Sequence, residues 1–272
     1  MTVSTAEQCL RDGDPVAALA RLQDEIRAKP SDAKLRVFLF QLLCVLGQWE
    51  RALNQVAVAS GLDAAALAMA QTYGEAVRCE AMRREVFAGR KAPLVFGHPE
   101  QWLALLVESL LVAGRGEAEQ AEHLRLAAFE AAPATAGAIN DQPFEWIADA
   151  DSRIGPVLEA IINGRYYWVP FTRLRAVTVE EPTDLRDVIW MPAHLQFENG
   201  GDTVALIPTR YPGSEASEDG LVQLARKTIW DEVGPDHHRG LGQRVLATDV
   251  ADVPLMDVRT VVLTAAEPPA EA

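Results

Sequence analysis

The segment GDPVAAL at positions 13–19 recurs as GQWERAL at positions 47–53, an offset of 34 residues. In each copy a glycine separates two stretches whose apolar residues recur every three or four positions, the spacing of one buried helix face. Glycine readily adopts the backbone conformation that ends a helix, and a small residue, Ala18 or Ala52, lets two helices approach closely. The repeat therefore predicts helical hairpins, each turning at its glycine.

The offset of 34 residues equals the period of tetratricopeptide repeats, which stack such hairpins. Hairpins are predicted at 4–29, 33–60 and 99–132. In the third hairpin Pro133 follows Gly116 by 17 residues, as Pro30 follows Gly13 in the first, and a proline cannot continue a helix. A long helix is predicted over 63–89. An ordinary helical bundle with a chance repeat is the alternative interpretation.

The second half of the chain has a different composition and a different pattern of apolar residues. Residues 132–144, APATAGAINDQPF, are small, polar and interrupted by proline, which indicates a linker. Beyond it, β-branched and aromatic residues alternate with polar ones, which is typical of strands. We predict an α+β protein in which a domain of tetratricopeptide-like hairpins (1–132) precedes a linker (133–145) and an α+β domain (146–272) with a curved, mostly antiparallel sheet.

Individual elements of this second half follow from local patterns. Strands are predicted in RYYWVPFTRLRAVTVE (165–180), VIWMPAHLQFEN (188–199) and DTVALIPTR (202–210). The turn signal NGGD at 199–202 predicts that the last two strands form a hairpin. Further predictions are helices at 152–163 and 221–233, a Gly/His/Pro loop at 234–244, short strands near Val245 and at 256–263, and a frayed tail at 265–272.

Composition excludes several classes of function. The formal net charge of -14 opposes binding to nucleic acid, because phosphate neutralisation needs clustered Lys and Arg. Cys9, Cys44 and Cys79 are an odd number without C-x-x-C spacing, so they indicate neither a disulfide framework nor a zinc site. No secretory signal is recognisable, and no window approaches the ~18 apolar residues that cross a bilayer. We therefore predict a cytoplasmic protein without a nucleic-acid or membrane partner.

The acidic cluster DADSR at 149–153 raises the question of catalysis. Asp149 and Asp151, with His194, could hold a metal ion if this stretch is a loop. The C-terminal half would then be a metal-assisted hydrolase, and the repeats would recruit it to its substrate. No His or Cys lies near the two aspartates at usual ligand spacing, so the sequence favours a protein that is not an enzyme and has no metal or cofactor.

The structural interpretation of the same cluster is more economical. Asp151 or Ser152 can cap a helix that begins near Arg153, because a side-chain oxygen satisfies free backbone N–H groups there and negative charge suits a helix N-terminus. Asp149 can pair with Arg153 or with Arg165. In this interpretation the cluster stabilises the fold and performs no chemistry.

Ordered motifs in the second half carry a family resemblance. They are WIADADSRIGPVLEAIINGRYYWVP (146–170), PTDLRDVIWMPA (182–193), ALIPTRYPGSE (205–215), LARKTIW (224–230), GLGQR (240–244) and PLMDVR (254–259). Together they resemble the ImpE/TagJ family, also called SciE, of type VI secretion accessory proteins. The resemblance spans 146–263, and the helical first half agrees with the family.

The resemblance implies a non-enzymatic adaptor of a bacterial type VI secretion system. It implies binding to the small subunit of the contractile sheath, through the N-terminal helix of that subunit. It also implies a link to sheath assembly, or to disassembly by the ClpV-type AAA+ ATPase. A tetratricopeptide scaffold for another multiprotein assembly is the alternative.

Stacked helical hairpins form concave surfaces that suit a partner helix. In tetratricopeptide geometry the first helix of each hairpin lines that concave surface. For the hairpin at 33–60 we therefore predict a partner-binding groove. Its residues are Lys34, Val37, Gln41, Cys44 and Val45.

Overall fold

The computed structural model describes residues 5–98, 100–234 and 237–264, and the first half of this part of the chain is helical. Its helices are α1 Thr5–Arg11, α2 Pro15–Ala28, α3 Ala33–Val45, α4 Trp49–Leu62, α5 Leu67–Phe87, α6 Gln101–Gly114 and α7 Ala118–Ala131. Packing joins α1 with α2, α3 with α4, and α6 with α7. The predicted hairpins and the long helix are therefore confirmed, and their likeness to tetratricopeptide repeats stays a prediction. No helix in the described residues is long and apolar enough to cross a membrane.

Each hairpin turns at a glycine with a positive φ angle, which is 84° at Gly13, 65° at Gly47 and 85° at Gly116. Such angles favour glycine because a Cβ atom would clash with the neighbouring backbone. After the first turn, the Asp14 carboxylate accepts a hydrogen bond from the backbone N–H of Ala17 at 2.8 Å and so caps α2. The glycine ends one helix and the aspartate begins the next.

A close backbone contact joins the ends of α5 and α6. A Cβ atom added at Gly89 would lie 2.6 Å from the Cα atom of Gly114 and closer still to the carbonyl oxygen of Leu110. The φ angle of Gly89 is 67°. The contact therefore requires glycine for two reasons, its conformation and its lack of a side chain.

We expect Gly89→Ala to lower the free energy of unfolding by about 3 kcal/mol, because backbone strain and a steric clash add. Gly116→Ala is a matched control, since Gly116 also has a positive φ angle but no atom of the described residues lies within 4 Å of an added Cβ. Urea denaturation of both variants measures the difference. Equal losses of unfolding free energy in Gly89→Ala and Gly116→Ala would contradict a steric contribution at Gly89.

Strands build most of the second half, and one short strand lies in the first half, between α5 and α6. They are β1 Leu94–Val95, β2 Gly137–Ile139, β3 Gln142–Phe144, β4 Ile147–Asp149, β5 Val157–Ile162, β6 Arg165–Pro170, β7 Leu174–Val179, β8 Trp190–Phe197, β9 Asp202–Pro208, β10 Thr228–Gly234, β11 His237–Gly242, β12 Val245–Thr248, β13 Asp252–Pro254 and β14 Thr260–Leu263. The large sheet has the order β1-β6-β5-β9-β8-β7-β14-β2-β3, and its pairs are antiparallel except β1 with β6. The predicted α+β fold with a mostly antiparallel sheet is confirmed.

The predicted hairpin at the NGGD turn is also confirmed. Strands β8 and β9 pair antiparallel, with Gln196 opposite Asp202. The Asn199 side chain accepts a hydrogen bond from the backbone N–H of Gly201 at 3.0 Å, and Gly200 has a φ angle of 84°. A side chain that bonds its own backbone, followed by a residue that tolerates positive φ, closes the turn.

The helix predicted at 152–163 is wrong. A turn reaches Gly155, whose φ angle is 59°, and the strand β5 follows. Strand β5 lies inside the large sheet between β6 and β9, and all six of its residues are buried. A strand buried on both faces has no polar alternation, so VLEAII gives the same signal as a short buried helix.

The helix predicted at 221–233 is wrong beyond its first turn. The helix α8 spans only Gly220–Gln223, and Ala225 then adopts a φ angle of 52°. The strand β10 follows and pairs with β11, which lies in the segment predicted as a loop. Tertiary pairing overrides the helical periodicity here. The tail at 265–272 lies outside the described residues.

Apolar cores lie on both faces of the large sheet. One core joins the helices to the sheet through side chains such as Leu42, Trp168 and Trp190. The other core covers the opposite face and includes Leu158 and Leu195. Since the first core contains residues from both halves of the chain, the halves pack directly against each other. The division into domains with a linker at 133–145 stays a prediction.

Candidate partner-binding groove

A groove of about 670 Å³ lies among α1, α2, α3 and two connecting segments. Its walls come from Glu7 to Arg11, from Ala33 to Gln41, from Asp63 to Ala66 and from Thr183 to Leu185, with Glu25 at one side. We call this surface the α3 groove, because α3 runs along its length. The groove is therefore built by the first two hairpins together with a segment of the second half.

The α3 groove has an apolar floor and a charged rim. Half-buried Leu35, Val37 and Phe38 form part of the floor. The charged groups of the rim are the acidic Glu7, Glu25, Asp63 and Asp184 and the basic Arg11 and Lys34. Acidic groups outnumber basic ones, so the rim favours a partner that carries Lys or Arg beside an apolar stripe.

The wall formed by Asp184 is fixed by its neighbours. The Asp184 carboxylate accepts hydrogen bonds from the Arg186 backbone N–H at 2.8 Å and from its Nε at 2.9 Å. The Arg186 guanidinium in turn lies 4.7 Å from the ring centre of Tyr73. Burial raises the pKa of Asp184, but hydrogen bonds from Arg186 and Gln41 outweigh it and hold that pKa below its ordinary value. This side of the groove is therefore pre-organised and ionised at neutral pH.

Three of the predicted partner-binding residues, Lys34, Val37 and Gln41, line the α3 groove. Lys34 is exposed, Val37 is half-buried, and Gln41 is buried beside Asp184. Cys44 and Val45 are fully buried. The structure therefore brings the first three residues to one surface and does not bring the last two to it.

Cys44 and Val45 instead meet the second half of the chain. The buried Arg210 guanidinium donates hydrogen bonds to the Val45 carbonyl oxygen at 2.8 Å and to the Cys44 carbonyl oxygen at 3.2 Å. The last carbonyl groups of a helix have no partner within it, so Arg210 caps α3. Burial raises the pKa of the Cys44 thiol, which keeps it protonated.

Asp149 pairs with Arg244, and the predicted partners Arg153 and Arg165 are wrong for it. The Asp149 carboxylate also accepts a hydrogen bond from the Asp151 backbone N–H at 2.8 Å. Burial raises the pKa of Asp149 to about 6, and the charge of Arg244 opposes that rise. The sequence distance of 95 residues explains why local pattern could not identify Arg244 as the partner.

Asp151 closes a turn. The sequence predicts that Asp151 or Ser152 caps a helix, but the described residues at 152–163 form no helix. The Asp151 carboxylate accepts hydrogen bonds from the Arg153 backbone N–H and Nε, each at 2.9 Å. It also accepts one from the Gly240 backbone N–H at 3.0 Å. The Ser152 hydroxyl accepts another from the backbone N–H of His238 at 3.0 Å. The cluster thus holds β11 against the turn.

Glu159 is the centre of a buried ion-pair network that sequence reasoning missed. Its carboxylate is fully buried and accepts hydrogen bonds from Arg83 Nε at 2.7 Å and from another Arg83 nitrogen at 2.9 Å. Arg244 and the Tyr166 hydroxyl also bond to it. Burial raises the pKa of Glu159, but Arg83 and Arg244 outweigh it and hold the pKa at about 2.

We call Arg83, Asp149, Glu159 and Arg244 the buried network. Arg83 belongs to α5, while Glu159 belongs to β5, so the network joins the helical half to the large sheet. Arg83 also donates to the Arg210 carbonyl oxygen at 2.7 Å. The charges of the buried network are paired and hydrogen-bonded, and this pairing offsets the desolvation cost of burying them.

The metal site considered for Asp149, Asp151 and His194 is not assembled. The imidazole of His194 lies 3.0 Å from the carboxylate of Asp202. The two aspartates are engaged with arginine and backbone groups. Within the described ranges, no three His, Cys, Asp or Glu side chains are placed to hold a metal ion. The geometry gives the DADSR cluster a role in joining segments of the fold.

Comparison with known proteins gives consistent matches. The family model described as ImpE protein matches residues 141–262. The chain is 51% identical over 254 residues to the type VI secretion system accessory component TagJ of Pseudomonas aeruginosa, covering 93% of this chain and 89% of that protein. A crystal structure of protein VPA1032 from Vibrio parahaemolyticus is similar with a TM-score of 0.86 and 26% identity, covering 95% of this chain and 97% of that one.

Proposed function

The chain belongs to the ImpE family, and from that premise we propose that it is a non-enzymatic accessory protein of a bacterial type VI secretion system. Its task is to bind the small subunit of the contractile sheath through the N-terminal helix of that subunit. The observation that carries the accessory role is the 51% identity to TagJ, which extends over both halves of the chain.

The α3 groove is the site that we propose for the sheath helix. An amphipathic helix binds by laying its apolar stripe on an apolar floor, and Leu35, Val37 and Phe38 supply such a floor. The acidic rim selects helices whose flanking residues are basic. Lys34 and Gln41 lie on the same surface and supply polar contacts.

We further propose that the protein acts beside the ClpV-type AAA+ ATPase in the sheath cycle. A protein that holds the N-terminal helix of a sheath subunit controls when that helix is available to other components, during assembly or disassembly. Ion pairing supports a non-enzymatic role for the DADSR cluster, because Asp149 pairs with Arg244 and Asp151 pairs with Arg153.

Deleting the N-terminal helix of the small sheath subunit is expected to weaken its binding to this protein at least 100-fold, because the groove would lose its ligand. Isothermal titration calorimetry with the full-length and shortened subunits measures this change. A synthetic peptide of the deleted helix should bind by itself and compete with the full-length subunit. Equal affinity of the two subunits would contradict this mode of binding.

A further inference from the structure

A second cavity, of about 450 Å³, lies between the end of α5, the α6–α7 hairpin and the β10–β11 hairpin. It shares no lining residue with the α3 groove. Phe87, Leu110 and Val233 give it apolar walls, and polar groups converge from α7 and β11. The cavity is therefore separate from the proposed sheath-binding surface and has the amphipathic lining of a small-molecule site.

Two buried nitrogen atoms in this cavity have no hydrogen-bond partner among the described residues. They are Nε2 of His237 and Nε of Arg239, on side chains that lie two residues apart on β11 and line the same cavity. A buried polar atom without a hydrogen bond costs free energy, so such atoms in a native protein call for an explanation. Two of them on one wall point to a ligand that satisfies both.

The other basic groups of the cavity are already paired. Arg125 pairs with Glu122, and Arg153 pairs with Asp151. The Arg239 side chain makes no ion pair or hydrogen bond with the described residues. It therefore brings a positive charge without an ion-pair partner among the described residues to a cavity wall that also carries Glu119, in a protein whose net charge is -14.

The contact of His237 with Glu122 determines which ring nitrogen of His237 carries the proton. Its Nδ1 atom lies 3.1 Å from the carboxylate of Glu122. A carboxylate only accepts hydrogen bonds, so Nδ1 carries the proton, and Nε2 of the neutral ring is an acceptor. Burial and the charges of Arg125 and Arg239 lower the pKa of His237, which favours the neutral ring. The cavity therefore offers one acceptor next to one cationic donor.

We propose that this cavity binds a small phosphate monoester. An ionised phosphate oxygen accepts from Nε of Arg239, and a P–OH group donates to Nε2 of His237, so both unpartnered atoms are satisfied by one group. At about pH 6 a phosphate monoester still carries one proton about half of the time, whereas a carboxylate is ionised and has no hydrogen to donate, and an alcohol has no charge to balance Arg239. The apolar walls formed by Phe87, Leu110 and Val233 hold the organic part of the ester.

Phenyl phosphate is a suitable probe, used at pH 6.0, where a monoester carries one proton about half of the time. Isothermal titration calorimetry is expected to show that it binds the full chain at least 10-fold more tightly than inorganic phosphate or benzoate. Arg239→Gln is expected to weaken the binding of phenyl phosphate at least 10-fold. Arg175→Gln, which removes an exposed charge outside the cavity, should change its affinity less than twofold.

A second variant keeps the test independent of the stability of β11. Ala113 is exposed at the cavity wall, so Ala113→Trp narrows the cavity without burying a polar group. Ala113→Trp is expected to weaken the binding of phenyl phosphate at least 10-fold and to leave the melting temperature of the protein unchanged. Absence of saturable binding, equal affinity for inorganic phosphate and phenyl phosphate, or equal losses in Arg239→Gln and Arg175→Gln would overturn the assignment.

Discussion

Glu159→Gln is expected to lower the free energy of unfolding by about 3 to 5 kcal/mol. The substitution keeps the size of the side chain but removes the negative charge that Arg83 and Arg244 share. Arg83 would be left with Glu80 at 3.4 Å, and a buried cation that loses its closest partner is strongly destabilising. Chemical denaturation with guanidinium chloride, followed by circular dichroism, measures the loss.

Asp24→Asn is the matched control for this prediction. It also neutralises the acidic partner of an arginine, but the ion pair of Asp24 with Arg27 is exposed on both sides. Exposed pairs contribute little, so we expect a loss below about 1 kcal/mol. A loss in Glu159→Gln as small as that in Asp24→Asn would show that the buried network does not hold the two halves together.

The same network predicts a dependence on pH. Arg83 and Arg244 lower the pKa of Glu159 from an ordinary 4.5 to about 2 in the folded protein, against the effect of burial. A carboxyl whose pKa falls on folding stabilises the protein above its unfolded pKa and loses that contribution as the pH falls towards its folded pKa. The stability difference between the wild type and Glu159→Gln should therefore shrink between about pH 4.5 and pH 2.

Local rules predicted the parts of the fold in which short-range chemistry decides. The glycines at 13, 47 and 116 adopt the positive φ angles that the repeat requires, and NGGD closes the β8–β9 hairpin. Strand β10 was missed because its pairing with β11 is not visible in the helical spacing of residues 221–233. Strand β5 was missed because it is buried on both faces.

The candidate groove was predictable only in part. The spacing of three or four residues places Lys34, Val37 and Gln41 on one face of α3, and in the structure all three line the α3 groove. The same spacing cannot show that the end of α3 is covered by Arg210, which lies 165 residues after Val45. A polar partner from a distant segment leaves no local signal in an apolar helix.

The buried network did leave a signal that could have been used. Glu159 stands inside the apolar run VLEAII, and a charged residue in a fully buried strand must be paired. The sequence did not indicate which arginines pair with it, because Arg83 and Arg244 lie 76 and 85 residues away. A buried carboxylate therefore predicts an ion pair, and only the fold identifies its partners.

Val37→Asp is expected to weaken binding of the small sheath subunit about 100-fold. The carboxylate would lie on the apolar floor of the α3 groove, where a bound helix would deprive it of water without giving it a partner. Val37 is half-buried and lies outside the apolar core, so the variant should fold with the stability of the wild type.

Val204→Asp is the matched control, because it makes the same change at a valine that is 68% exposed on β9, outside the groove. It should bind the sheath subunit with wild-type affinity. A variant with both substitutions should bind no more weakly than Val37→Asp alone, since only one of the two positions contacts the partner.

The dissociation constant of the small sheath subunit, measured by isothermal titration calorimetry for the wild type, Val37→Asp and Val204→Asp, tests the groove most directly. The proposed function predicts an affinity near the wild-type value for Val204→Asp and about 100-fold weaker binding for Val37→Asp, at equal melting temperatures. Wild-type affinity in Val37→Asp would contradict the α3 groove as the binding site, and no binding by the wild type would contradict the sheath subunit as the partner.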